Sequence, residues 1–150
     1  MFYHLTRSTA EDTLRTLLPR ALARGWAVML RGTDRARLAA LDLALWRVPD
    51  DGFLPHGLEG GPRDARQPVL LGTGPVVNGA EALMLVDGAD TTPDEARPLE
   101  RVWILFDGED EAQLARARGQ WKSLTAAGLA AQYWSEASGR WEMKAESGSA

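Results

Sequence analysis

Arg101-Val102-Trp103-Ile104-Leu105-Phe106 is the strongest strand signal in the chain, and its coupling to a helix downstream decides the fold. The run is apolar without alternation, the mark of a strand buried on both faces. Asp107 then opens a stretch to about Ala127 with Leu114, Ala117, Trp121 and Leu124 at helical spacing, and Gly128 closes it. The same alternation recurs upstream. Trp26-Ala27-Val28-Met29-Leu30 is a second continuous apolar run. Before it, Ser8-Thr9-Ala10-Glu11 has the form of a capping box. A helix then runs through Leu14, Leu17, Leu18, Ala21 and Leu22, and Gly25 ends it. Asp34 can cap another helix through about Trp46. Phe2–Leu5, Val69–Gly72, Ala82–Val86 and Ala130–Trp134 read as further strands, and Thr91–Glu95 as the start of a short helix. Strands alternating with helices predict a three-layer α/β fold, with a mostly parallel central sheet flanked by helices.

Between these elements, residues 47–68 (RVPDDGFLPHGLEGGPRDARQP) carry four prolines and four glycines and read as a long loop. Loops of that length inside a compact domain are often functional. No repeat or internal linker divides the 150 residues, so one domain over 1–144 is expected, with 145–150 a flexible C-terminal tail. With 45% hydrophobic and 25% charged residues, wholesale disorder is excluded. The chain has no cysteine, hence no disulfide, thiol nucleophile or thiolate metal site. No apolar run approaches the roughly 18 residues of a membrane span, and the start lacks a signal-peptide layout. A cytoplasmic protein without membrane contact is expected.

The formal net charge of −4 argues against a basic nucleic-acid module, but its distribution is uneven. Residues 87–111 carry nine acids against Arg97 and Arg101, whereas residues 112–125 hold Arg116, Arg118 and Lys122 with no acid. A basic island on an acidic chain suits a small anionic partner, unless it is only a solvated helix face.

Catalytic chemistry finds little support. His4 and His56 are the only histidines, and no metal-ligand spacing or G-x-S-x-G elbow accompanies them. Gly72-Thr73-Gly74-Pro75 superficially resembles a dinucleotide turn, but it leads toward a strand rather than a helix. Asp50-Asp51 and Glu109-Asp110-Glu111 lack metal-ligand spacing. No cofactor is expected.

What stands out is one turn of the last helix. Arg118 sits three residues before Trp121 and four before Lys122, at the edge of the apolar stripe. A guanidinium, an indole and an ammonium there could hold a carboxylate while an aromatic side chain packs beside it. Alternatively, Trp121 is plain core and both cations are solvated. The second unusual stretch is Phe53-Leu54-Pro55-His56, apolar and rigid within a polar loop. It either tucks into its own domain or anchors a partner.

These residues resemble a known family, the chi subunit of the bacterial DNA polymerase III holoenzyme. The matching positions are Phe2-Tyr3, Leu41-Asp42-x-x-Leu45-Trp46, Phe53-Leu54-Pro55-His56, Pro68-Val69, Glu100-Arg101-Val102, Ala117-Arg118-x-x-Trp121-Lys122 and Ala127-Gly128. They run in family order over about residues 2–134, and Gly139-Arg140-Trp141-Glu142 looks like an extension of some members.

The resemblance implies a Rossmann-like sheet and a non-catalytic accessory subunit of the clamp loader. It implies two protein partners, the acidic C-terminal tail of single-stranded DNA-binding protein and the psi subunit or an equivalent, with a DNA-repair helicase as a further one. DNA would be met only indirectly. Carried over by position, the tail pocket uses Trp46, Arg118, Trp121, Lys122 and Tyr133, and the psi or helicase contact uses Phe53, Pro55 and His56. Gly119-Gln120 departs from the more charged pair of the family pattern. The contrasting reading is a small α/β nucleotide-binding protein or enzyme that uses the Gly72–Pro75 or Pro55–His56 loop.

Overall fold

The computed structural model describes residues 1–5, 10–46, 57–60, 67–74, 76–136 and 141–147. Among them run β1 (Phe2–Leu5), α1 (Ala10–Ala23), β2 (Val28–Arg31), α2 (Arg35–Trp46), β3 (Gly57–Leu58), β4 (Val69–Gly72) and β5 (Ala82–Leu85). They continue with α3 (Pro93–Ala96), β6 (Arg101–Asp107), α4 (Glu111–Ala126), β7 (Ala131–Ser135) and β8 (Glu142–Ser147). The strands form one sheet in the order β3-β4-β2-β5-β6-β1-β7-β8. Every neighbouring pair is parallel except β7 and β8. The architecture is a Rossmann-like, three-layer α/β fold.

The apolar runs lack alternation because both faces of the sheet are covered. Val28 and Leu30 of β2 face one layer, where Leu14, Leu17, Leu18 and Ala21 of α1 and Leu38 of α2 pack. Met29 points the other way, into a cluster with Leu83, Ile104 and Phe106 beneath Ala96 of α3 and Ala117 and Leu124 of α4. All four residues of β2 are buried, as are those of β4 and β5. Helices α1 and α2 therefore cover one face and α3 and α4 the other.

The helix starts sit at their polar caps. Asp34 Oδ1 accepts from Ala36 N–H at 2.8 Å, ahead of α2. Thr92 caps α3 through Glu95 N–H, with Pro93 in the first turn. The last helix begins later than the periodicity predicts. Asp107 completes β6, and Asp110 caps α4 by accepting from Ala112 and Gln113 N–H at 3.0 and 3.1 Å. Ser8 of the expected capping box lies outside the described residues.

The C-terminal stretch also departs from expectation. Residues 142–147 form β8, and Ala145, Glu146 and Ser147 pair with Tyr133, Gln132 and Ala131 of β7. The tail expected from residue 145 is thus strand as far as Ser147. Its side chains from Met143 to Glu146 are exposed, and the strand is held by its backbone pairing with β7.

Candidate functional site

Helix α4 lies across β6 and β7, and its inner face is set by Ala117, Gln120 and Leu124, all buried. Gln120 is not a surface substitute for a charge. Its amide donates to Ala89 O at 3.0 Å and to Asp90 Oδ1 at 2.9 Å, and so ties α4 to the loop after β5. Locking Gln120 inward rotates Arg118, Trp121 and Lys122 toward the rim.

Trp121 is half-buried and meets Phe2 edge-on, with ring centroids 5.3 Å apart at 61°. Tyr133 of β7 stands 6.3 Å from Trp121 at 75°. Its hydroxyl lies 2.7 Å from His4 Nδ1. The His4 ring in turn stacks on Phe106 at 5.1 Å and 27°. Phe2 and Phe106 are buried, and His4, Tyr133 and Trp121 pack beside them partly exposed. Gly108 completes the arrangement. A Cβ there would overlap the His4 imidazole, so the close approach requires glycine.

Two exposed cations, Arg118 and Lys122, stand one turn apart on α4 and precede and follow Trp121 of this cluster. Among the described residues neither pairs with a carboxylate, whereas Arg31, Arg37 and Arg97 all do. The field of Arg118 reaches Tyr133. Burial raises the Tyr133 pKa above its ordinary value, and Arg118 acts in the opposite sense. The ensemble, the α4 slot, is a partly exposed aromatic cluster beside two cations that have no carboxylate partner among the described residues. Such a site can take an apolar side chain and an adjacent carboxylate together.

The structure brings together Arg118, Trp121, Lys122 and Tyr133. It does not bring Trp46 to them. Trp46 ends α2, which packs on α1, β3 and β4 across the sheet from α4; its side chain lies outside the described residues. Phe53, Pro55 and His56 are also outside them. His4, Phe2 and Phe106 are members of the slot that spacing along one strand cannot reveal. They become neighbours only through register, since Phe2 pairs with Tyr133 and His4 with Phe106.

Elsewhere the structure gives phosphate no cradle at Gly72-Thr73-Gly74. The Thr73 N–H and hydroxyl already donate to Glu59 Oε1 at 2.8 and 3.2 Å, so a carboxylate of the chain occupies that turn. Among the described residues no cluster of three metal-ligating side chains occurs. No helix there is long and apolar enough to cross a membrane.

A search of curated proteins returned no match. The family model described as DNA polymerase III chi subunit, HolC, matches residues 1–132. That span includes β1, β6 and α4 with Arg118, Trp121 and Lys122, and it ends at Gln132, one residue before Tyr133. On this match the chain belongs to the DNA polymerase III chi subunit (HolC) family.

Proposed function

We propose that this replication accessory protein is an adaptor whose α4 slot binds the acidic C-terminal tail of single-stranded DNA-binding protein. The observation that carries the reading is the pair of cations, Arg118 and Lys122, without a carboxylate partner among the described residues, next to the half-buried rings of Trp121 and Tyr133. A terminal aromatic side chain would enter the slot while its carboxylate and preceding aspartates meet the guanidinium and ammonium. A charge-assisted hydrogen bond of this kind contributes about 1.5–3 kcal/mol, and a buried aromatic anchor about 2 kcal/mol or more.

The adaptor also needs a second surface. Phe53, with Pro55 and His56, serves the clamp-loader side through psi or an equivalent protein, and a repair helicase competes for it. The protein performs no chemistry of its own in this reading.

Titration calorimetry with an acidic peptide ending in aspartates and Pro-Phe tests the slot. Binding should weaken with added salt, because exposed charges are screened beyond about 8–10 Å at 0.1–0.15 M. Arg118→Glu should abolish it with circular dichroism unchanged. Undiminished affinity in that variant would remove the slot from the reading.

A further inference from the structure

The face of the sheet opposite α4 carries a second cationic arrangement. Trp26, just before β2, is flanked by two guanidiniums, Arg24 Cζ at 5.1 Å and Arg101 Cζ at 5.5 Å from its ring centroid. Arg101 also lies 5.6 Å from the ring of Trp103. The two indoles are themselves 6.1 Å apart. The strip continues past Tyr3, whose hydroxyl feels the charges of Arg101 and Arg20. It ends at Trp141, which is 37% exposed and packs edge-on against Tyr3 at 5.2 Å. Tyr3, Arg20 and Trp141 line one groove of about 270 Å³. Asp12, the carboxylate in that groove, is engaged within the molecule.

None of the three arginines has a carboxylate partner among the described residues. This is costly for Arg101, which is partly buried. Desolvation first, and then the neighbouring Arg24, lower its pKa below the ordinary arginine value. The two indole faces offset part of that cost, and an anionic ligand would offset more of it. Glu81, just before β5, accepts instead from Ala27 N–H at 2.7 Å.

We propose that this strip is a secondary contact for single-stranded nucleic acid. Arg20, Arg24 and Arg101 take successive phosphates, and the open ring of Trp141 stacks a base. The alternation of guanidiniums with rings is what such strands require, since bases stack on aromatic faces and on guanidinium planes alike. An acidic peptide fits less well, because it needs a free apolar slot beside the charges, and here guanidiniums cover Trp26. The net charge of −4 opposes approach of a polyanion, so binding is weak at physiological salt. This contact is independent of the tail slot, which lies across the sheet.

Fluorescence anisotropy of the full chain with a labelled oligothymidylate, without any other protein, tests it. Three phosphate contacts on a single strand give a salt slope of about −2, so a fourfold rise in salt weakens binding roughly 15- to 20-fold. Arg24→Ala combined with Arg101→Met should weaken binding about tenfold or more at low salt, and Trp141→Ala about tenfold. The double variant should melt at the same temperature or higher, since it removes uncompensated charge. Arg118→Glu should leave the oligonucleotide affinity unchanged. The proposal fails if the double variant binds as tightly as the parent, or if it melts at lower temperature, which would make the arginines clamps for the indoles. It also fails if Arg118→Glu abolishes binding, or if polyglutamate displaces the oligonucleotide at equal charge.

Discussion

The Tyr133 hydroxyl and His4 Nδ1 share a hydrogen bond of 2.7 Å, and through it the outer wall of the α4 slot is fastened to β1. His4 is in turn pressed between Phe106 and Gly108. The position of the partly exposed Tyr133 ring therefore depends on a glycine two strands away.

Two substitutions separate ring from anchor. Tyr133→Phe keeps the ring and removes the hydrogen bond, so folding stability should fall by about 1 kcal/mol with only a modest loss of tail-peptide affinity. Gly108→Ala displaces His4 and should lower both stability and affinity more than Tyr133→Phe. Thermal melts alongside peptide titrations measure the difference. Equal effects of the two variants would show that His4 does not position Tyr133.

Gly119 offers the opposite test. It sits in the middle of α4, exposed, and a Cβ there would meet nothing within 4 Å. Gly119→Ala should therefore stabilise the chain by about 1 kcal/mol through helix propensity and reduced freedom of the unfolded state. Urea unfolding at constant slope reads this directly. Tail binding should persist, because Arg118 and Trp121 keep their places.

The helices and most strands were legible in the sequence because periodicity and caps are local. β1 and β4 stand where the apolar runs put them, and Asp34 marks the start of α2, whereas α4 starts at Asp110 and not at Asp107, where the pattern put it. β3 was illegible, since Gly57-Leu58 carries no pattern of its own and is strand only because β4 lies beside it. β8 was obscured by the serines and glycine around it. In the candidate site, Arg118, Trp121 and Lys122 share one helical turn and could be read as a unit. Phe2, His4, Phe106 and Tyr133 meet only because β1 inserts between β6 and β7, and strand order is not a local property. The inward turn of Gln120 was hidden for the same reason, because its partners lie about thirty residues away.

Arg31 and Glu95 set the response to acid. Arg31 is buried and donates to both Glu95 oxygens at 2.6 and 2.8 Å, and Thr91 adds a third bond at 2.6 Å. The bond from Arg31 is the main cause holding the Glu95 carboxyl below its ordinary value of 4.5. A depressed folded-state pKa contributes stability that is present above the unfolded value and lost as the pH falls through the folded one. Urea midpoints should thus decline below about pH 4.5. Glu95→Gln should be less stable at pH 7, by about 1–3 kcal/mol given the partial exposure of the pair, with the gap closing as the pH falls. A gap that stays constant down to pH 3 would mean that Glu95 does not titrate with folding.

The last prediction tests whether the adaptor has two separable surfaces. Residues 47–56 connect the end of α2 to β3, which is one edge of the sheet, whereas the α4 slot is built on β6, β1 and β7. β3 and β7 are six strand steps apart, or about 28 Å at the usual spacing. In the proposed reading, a partner held at Phe53 and a tail held at Arg118 are bound at once. Pro55 restricts the backbone beside Phe53, so less entropy is lost when a partner covers the ring. Truncating such an anchor commonly costs 2 kcal/mol or more of binding, roughly 30-fold. Phe53→Ala should abolish capture of the clamp-loader or helicase partner and leave the acidic-tail affinity intact, and Arg118→Ala should do the reverse. If Phe53 belongs instead to the chain's own core, its truncation should cost about 3–5 kcal/mol of folding stability, and both activities should fall together. Melting temperature measured beside the two pull-downs separates the outcomes. A large drop with joint loss of both partners would leave the adaptor without its second surface.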